Sequence, residues 1–151
     1  MPKRSAGILM YRQPLAAVEL LLVHPGGPFW ARKDWGAWSI PKGEYAEDED
    51  PLTVAKREFE EETGARLEGN FLGLGNIVQA GRKVVTAWAV EGDCDPAHLR
   101  SNLFEMEFPP RSGRMAEFPE VDRGEWFSLG EARGRILEAQ MPFLDALPAL
   151  V

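Results

Sequence analysis

The chain has 151 residues, of which 24 are Asp or Glu and 17 are Lys or Arg, for a formal charge of −7. This length suits one domain over residues 1–151, and with 44% hydrophobic and 27% charged residues such a chain buries roughly 70% of its unfolded surface, which excludes disorder as the main state. No apolar run approaches the roughly 20 residues of a membrane span, the start MPKRSAGILMYRQ turns polar too soon for a signal peptide, and a lone Cys94 forms no internal disulfide, so a cytoplasmic location is expected.

In chain order, Ala6 to Tyr11 and Ala17 to His24 are apolar stretches separated by Arg12-Gln13-Pro14 and read as paired strands. His24 to Trp38 is rich in Gly, Pro and Trp and reads as a shaped loop, followed by a short strand at Trp38-Ser39-Ile40 and a turn at Lys42-Gly43-Glu44. Asp50 before Pro51 is a helix start, and the helix is predicted to run to Thr63 with Gly64 as its stop. Phe71 to Gln79 and Lys83 to Glu91 read as strands joined at Ala80-Gly81-Arg82, and Leu103 to Phe108 alternates like a half-buried strand. The stretch PPRSGRMAEFPEVD reads as a loop. A strand at Glu125-Trp126-Phe127 then leads into Ser128-Leu129-Gly130-Glu131, a capping box opening a helix to about Ala139, and the tail from Met141 adds a helical turn or two. Strands interleaved with two main helices predict an α/β sandwich in which helices cover a mixed sheet.

Charge is concentrated in one place. From Gly43 to Gly64 there are nine acids against two bases, so this window holds the whole net charge while the other 15 acids and 15 bases cancel. Clustered like charge is unfavourable unless a cation is bound, although a solvated acidic helix is the plainer alternative. Spacing separates the two readings. Leu52, Ala55 and Phe59 form the predicted buried stripe, and Glu58, Glu61 and Glu62 fall beside it at i, i+3 and i+4, where their carboxylates converge at the border of the core. Such an oxygen set suits a hard divalent cation like Mg²⁺, which shares its coordination with substrate phosphates.

The run Gly43, five residues, Glu49, seven residues, Arg57-Glu58-Phe59, one residue, Glu61-Glu62, one residue, Gly64-Ala65 resembles the Nudix box, the loop-helix-loop motif of the Nudix hydrolases. Ala65 departs from the bulkier aliphatic usual there. Trp38 to Gly43 resembles the lead-in to the box, and Glu125 to Ala132 the family's final strand and helix. The resemblance implies an α/β/α sandwich with a central mixed sheet and a catalytic loop-helix-loop. It also implies that Glu58, Glu61, Glu62 and the Gly43 carbonyl bind Mg²⁺ or Mn²⁺, and that Arg57 pairs with box acids including Glu49. The reaction implied is attack of water on a diphosphate phosphorus. Its general base is either Glu58 or Glu120, which stands six residues before Trp126; Glu117, Asp122 and Glu125 are weaker candidates.

Lys42, Arg4, Arg111 and Arg114 are the expected phosphate contacts, and Trp38, with Trp30, Trp35 and Phe29, is a candidate to stack on a base, each weighed against ordinary packing. Ser5 to Leu9 together with Trp38 to Gly43 resembles the subgroup that cleaves dinucleoside polyphosphates such as diadenosine tetraphosphate. A nucleoside triphosphate pyrophosphohydrolase that sanitises the nucleotide pool is the main alternative, and sugar nucleotides and diphosphoinositols stay open. A silent nucleotide-sensing module is the contrasting class, disfavoured because the box glutamates are all present. His24, His98 and Cys94 are given no role, and no basic stripe suggests binding to duplex nucleic acid.

Overall fold

Strand β1 (Arg4–Arg12) is apolar at nearly every position, the pattern of a strand covered on both faces, and the computed structural model, which describes residues 3–151, sets it in the middle of the sheet. Strand β2 (Glu19–Pro25) and the short β3 (Lys42–Glu44) precede helix α1 (Pro51–Thr63). Strands β4 (Leu72–Gln79) and β5 (Lys83–Glu91) follow, joined through Ala80–Arg82. Strands β6 (Leu103–Glu107) and β7 (Met115–Pro119) form a separate hairpin, and β8 (Val121–Ser128), α2 (Leu129–Arg135) and α3 (Met141–Ala146) complete the chain.

The main sheet runs β4-β5-β1-β2-β8, with β3 also paired to β1. β1 and β5 are parallel, from Arg4↔Val84 to Tyr11↔Glu91, and the other pairings are antiparallel, so the sheet is mixed. β1 and β2 touch only at Tyr11↔Leu20 and Arg12↔Glu19 before they diverge. Residues 38 to 44 wedge into the gap: Ser39 exchanges backbone hydrogen bonds with Val23, Ile8 N–H donates to the Pro41 carbonyl, and β3 pairs with Ser5 to Gly7.

Alternation along β1 assigns the two cores. Ala6, Ile8 and Met10 face Ala55 and Phe59 of α1, with Leu21 and Val90 beside them. Leu9 and Tyr11 face the opposite way, into a cluster with Ala132, Ile136, Phe143 and Leu144 at the C-terminal helices. Helices thus cover both faces of a mixed sheet, as the sequence predicts. Among the described residues no helix is long and apolar enough to cross a membrane.

Several local expectations differ, among them Trp38-Ser39-Ile40, where isolated bridges from Val23 to Ser39 and from Trp38 to Ile136 stand in place of the expected short strand. Lys42–Glu44 is a strand rather than a turn, because β1 offers it an open edge. The predicted loop after Leu103–Glu107 contains β7, whose alternation is masked by flanking Pro and Gly, and β8 starts at Val121, four residues early. The helix expected to reach Ala139 ends at Arg135, since Trp38 draws the following residues into backbone pairing: Leu137 N–H donates to the Trp38 carbonyl, and Ile136 bridges Trp38. The buried positions of α1 are Val54, Ala55, Phe59 and Thr63, with Leu52 only partly covered.

Phe59 is the largest side chain that α1 buries against the sheet. Phe59→Ala is expected to cost about 3–5 kcal/mol, seen in urea unfolding as a lower midpoint with unchanged slope.

Candidate active site

The acidic segment is held by its own caps before any tertiary contact acts. Asp50 Oδ2 accepts from the Thr53 N–H at 3.0 Å and the Thr53 hydroxyl at 2.7 Å, Pro51 begins the helix, and Gly64 closes it in the left-handed region while its N–H donates to the Glu60 carbonyl. Upstream, the Glu49 carboxylate accepts from the Ala46 N–H at 2.9 Å. Arg57 Nη2 lies 3.7 Å from Glu49 and 3.8 Å from Glu58, so one guanidinium links the loop to the helix and orients both acids. These pairs are half-exposed, and their value is geometric more than energetic.

β3 carries Gly43 against α1. A Cβ on Gly43 would fall 2.6 Å from Glu58 Cγ, so a glycine is needed for the helix to approach the strand this closely. Glu120 arrives from the other side. Its N–H donates to the Asn102 carbonyl and its carbonyl accepts from Gly26 N–H, while Arg100 N–H donates to the Glu62 carbonyl. Residues 100 to 102 therefore tie the end of α1 to the segment that bears Glu120.

The result is a cleft of about 340 Å³ lined by Gly43, Glu44, Glu58, Glu62 and Glu120 together with Lys42, Lys83, Ser5 and Asn102. Burial, then the charges of Glu58, Glu120 and Glu61, push the Glu62 carboxyl up to about 7, with Lys42 pulling partly back. Lys42 is itself lowered, first by burial and then by Lys83, an effect that Glu44, Glu120 and Glu62 oppose.

The donors fit a hard divalent cation: the carboxylates of Glu58, Glu62 and Glu120 line one cleft, and Glu62, buried and flanked by other acids, holds its proton near neutrality. Among the described residues no group of three acids already stands at metal-ligating spacing, so this is an open cluster rather than a closed cage.

The other expected residues divide. Glu61 is exposed and lines a neighbouring depression with Lys56, Arg57 and Glu60, although Glu62 still feels its charge. Glu49 and Arg57 stand behind Glu58 rather than in the cleft. Arg4 is exposed at the start of β1, and Arg111 and Arg114 are exposed between β6 and β7; none of the three lines the cleft.

Trp38 is a correction. It is 1% exposed, its indole N–H donates to Asp34, and its ring packs edge-on against His24 and Phe127, so it has no free face for a base. Trp35 is 71% exposed but lies over the Arg135 guanidinium at 4.5 Å. Phe29 and Trp30 line a separate apolar groove that shares Glu120 with the cleft. His24 is buried, with Nδ1 2.8 Å from Asp122 and Nε2 2.5 Å from the Lys33 carbonyl, a structural placement. Burial and Asp93 push the Cys94 thiol up to about 11, which leaves it no nucleophilic role.

Sequence reading missed Lys83, Asn102, Ser5 and Glu44 as cleft residues. Lys83 opens β5, and only the parallel pairing of β5 with β1, together with antiparallel β3 on the other edge of β1, brings the starts of β1 and β5 and the short β3 to one end of the sheet. No local pattern announces that register.

The Glu62 carboxyl rises on folding, so the native state holds a proton that the unfolded chain gives up, and stability falls as pH rises from about 4.5 to about 7. Glu62→Gln removes that penalty. Without divalent metal it is expected to be more stable than the parent at pH 8 by about 1–3 kcal/mol, after allowance for screening, and no more stable at pH 4.5, as thermal melts at the two pH values will show.

A family profile describing the NUDIX domain matches residues 1–147. No curated protein matches the chain. Among solved structures, the Ap4A hydrolase of C. elegans in a binary complex superposes with a TM-score of 0.65 at 21% identity, covering 96% of each chain. A mutT/nudix family protein from Listeria innocua gives 0.65 at 16% identity over 99% of this chain and 94% of that one. The NUDIX domain of Shewanella oneidensis NrtR, solved with ADP ribose, gives 0.65 at 13% identity over 99% and 88%. At these identities the superpositions show the fold, and the profile spanning nearly the whole chain shows the family: the chain belongs to the NUDIX family and is an enzyme of the pyrophosphohydrolase class.

Proposed function

We propose that this chain, acting as a single domain, is a Mg²⁺- or Mn²⁺-dependent hydrolase of a nucleoside diphosphate linked to another moiety, with dinucleoside polyphosphates such as diadenosine tetraphosphate as the first choice. The observation that carries the reading is the convergence of Glu58, Glu62 and Glu120 with Lys42 and Lys83 in one cleft beside an apolar groove. Likeness to the Ap4A hydrolase of C. elegans supports the choice of substrate. Nucleoside triphosphate pyrophosphohydrolysis is the second reading, because the same cleft accepts a triphosphate chain.

Glu58, Glu62 and the Gly43 carbonyl would hold the metal, with Glu120 across the cleft from them. The ion supplies neutralisation of phosphate oxygens and acidifies the attacking water. Lys42 and Lys83 bind the polyphosphate and offset charge on the departing phosphate. Water adds to one phosphorus, the anhydride P–O bond breaks, and the bridging oxygen leaves with the electron pair. The proton of the water passes to Glu58 or Glu120, both within the cleft; Arg57 keeps Glu58 aimed. The net acidity of the chain repels polyphosphates at a distance, so the attraction must come from the two lysines and the bound cation.

Product chromatography with Mg²⁺ tests the reading. The protein is expected to convert diadenosine tetraphosphate to ATP and AMP, whereas preference for a nucleoside triphosphate, yielding monophosphate and diphosphate, would move the assignment to the second reading. Binding of nucleotides without turnover of any would instead mean a sensing module. Whichever of Glu58→Gln and Glu120→Gln removes the base is expected to lower kcat by about 10²- to 10⁴-fold and to abolish the acidic limb of the pH profile. Glu62→Gln is expected to raise the metal concentration for half-maximal activity by about 10- to 100-fold, and Glu61→Gln to raise it less, since Glu61 stands outside the cleft.

A further inference from the structure

We propose that the apolar groove beside the cleft is the seat of the substrate's nucleobase, held by stacking between residues 25 to 30 and the β6–β7 hairpin rather than by reading of the base edge. This deepens the hydrolase reading and rests on it. The groove has a volume of about 410 Å³ and is walled by Phe29, Trp30, Phe104 and Met106, with Gly27 beneath Phe104. Gly27 is required there: its φ is +99°, and an added Cβ would stand 3.0 Å from the Phe104 ring.

Three observations make this a built site rather than a loose loop. The rings form a chain of contacts from Phe104 to Phe118, from Phe118 to Phe108 and from Phe108 to Phe29, with centroids 6.0, 5.9 and 6.5 Å apart. The loop is pinned at both ends, by Gly26 N–H donating to the Glu120 carbonyl and by His24 Nε2 at the Lys33 carbonyl. Yet Phe29 remains 56% exposed on this fixed frame, an uncovered aromatic surface that water solvates poorly.

Glu120 lines both the groove and the cleft, so whatever lies in the groove is joined to whatever lies among the carboxylates and lysines. The moiety attached to a polyphosphate in a nucleotide is a ribose bearing a flat, uncharged heterocycle. Among the described residues Glu120 is the one charged side chain lining the groove, which leaves aromatic faces as the means of recognition.

The test compares ATP with ribose 5-triphosphate, which has the same phosphate chain and no base. The parent is expected to favour ATP, and Phe29→Ala and Phe104→Ala each to lower kcat/KM for ATP by about 5- to 100-fold, the loss confined to the base-bearing compound and restored by Phe29→Tyr. An equal loss for both compounds, or none for either, overturns the proposal. Should neither compound be turned over, the hydrolase reading stands or falls separately on diadenosine tetraphosphate, and the base site is tested by titrating AMP against the indole N–H resonance of Trp30. A saturable shift weakened at least 5-fold in Phe29→Ala supports the groove as a base site, and an unmoved resonance overturns it.

Discussion

Glu58, Glu62 and Glu120 repel one another, and a protein left to its own electrostatics would spread them into solvent. Here they are held together from three directions. α1 fixes the first two through its caps and its buried Phe59, β3 brings Gly43 up against the Glu58 side chain, and the backbone bonds at Asn102 and Gly26 return Glu120 to the same cleft. Packing of the sheet and the two cores thus holds these carboxylates together, with Lys42 and Lys83 offsetting part of their charge and Glu62 keeping its proton up to about pH 7.

The divergence of β1 and β2 is the topological means to that end. A continuous β1–β2 ladder would leave no edge for residues 38 to 44, and Gly43 could not reach α1. Because the strands pair only at Tyr11 and Arg12, the lead-in enters the sheet, buries Trp38 under the C-terminal helices and delivers Lys42 and Gly43 to the cleft in succession. The same wedge explains why α2 stops at Arg135: Trp38 takes up the next backbone groups.

What was legible in the sequence was local. Asp50-Pro51 and Gly64 gave the limits of α1, the Ser128 to Glu131 capping box marked the start of α2, and the turn at Ala80 to Arg82 joined the strands now seen as β4 and β5, because each signal satisfies its own backbone groups within a few residues. The non-local parts were not legible. β3 exists because β1 has a free edge, β7 because β6 pairs with it across a Pro- and Gly-rich turn, and Lys83 reaches the cleft because β5 runs parallel to β1. Trp38 shows the limit most clearly. At the join of an aromatic loop and a short strand it reads as a candidate to stack on a base, and only the packing of α2, with Asp34 accepting from its indole, turns it into core.

The most direct test of the account is anomalous diffraction from a crystal holding Mn²⁺ and a non-hydrolysable nucleotide. The manganese signal is expected within the cleft, bonded to Glu58 and Glu62 with the phosphate chain toward Lys42 and Lys83. Manganese on the outer side of α1 among Glu60 and Glu61, with the cleft vacant, would contradict it.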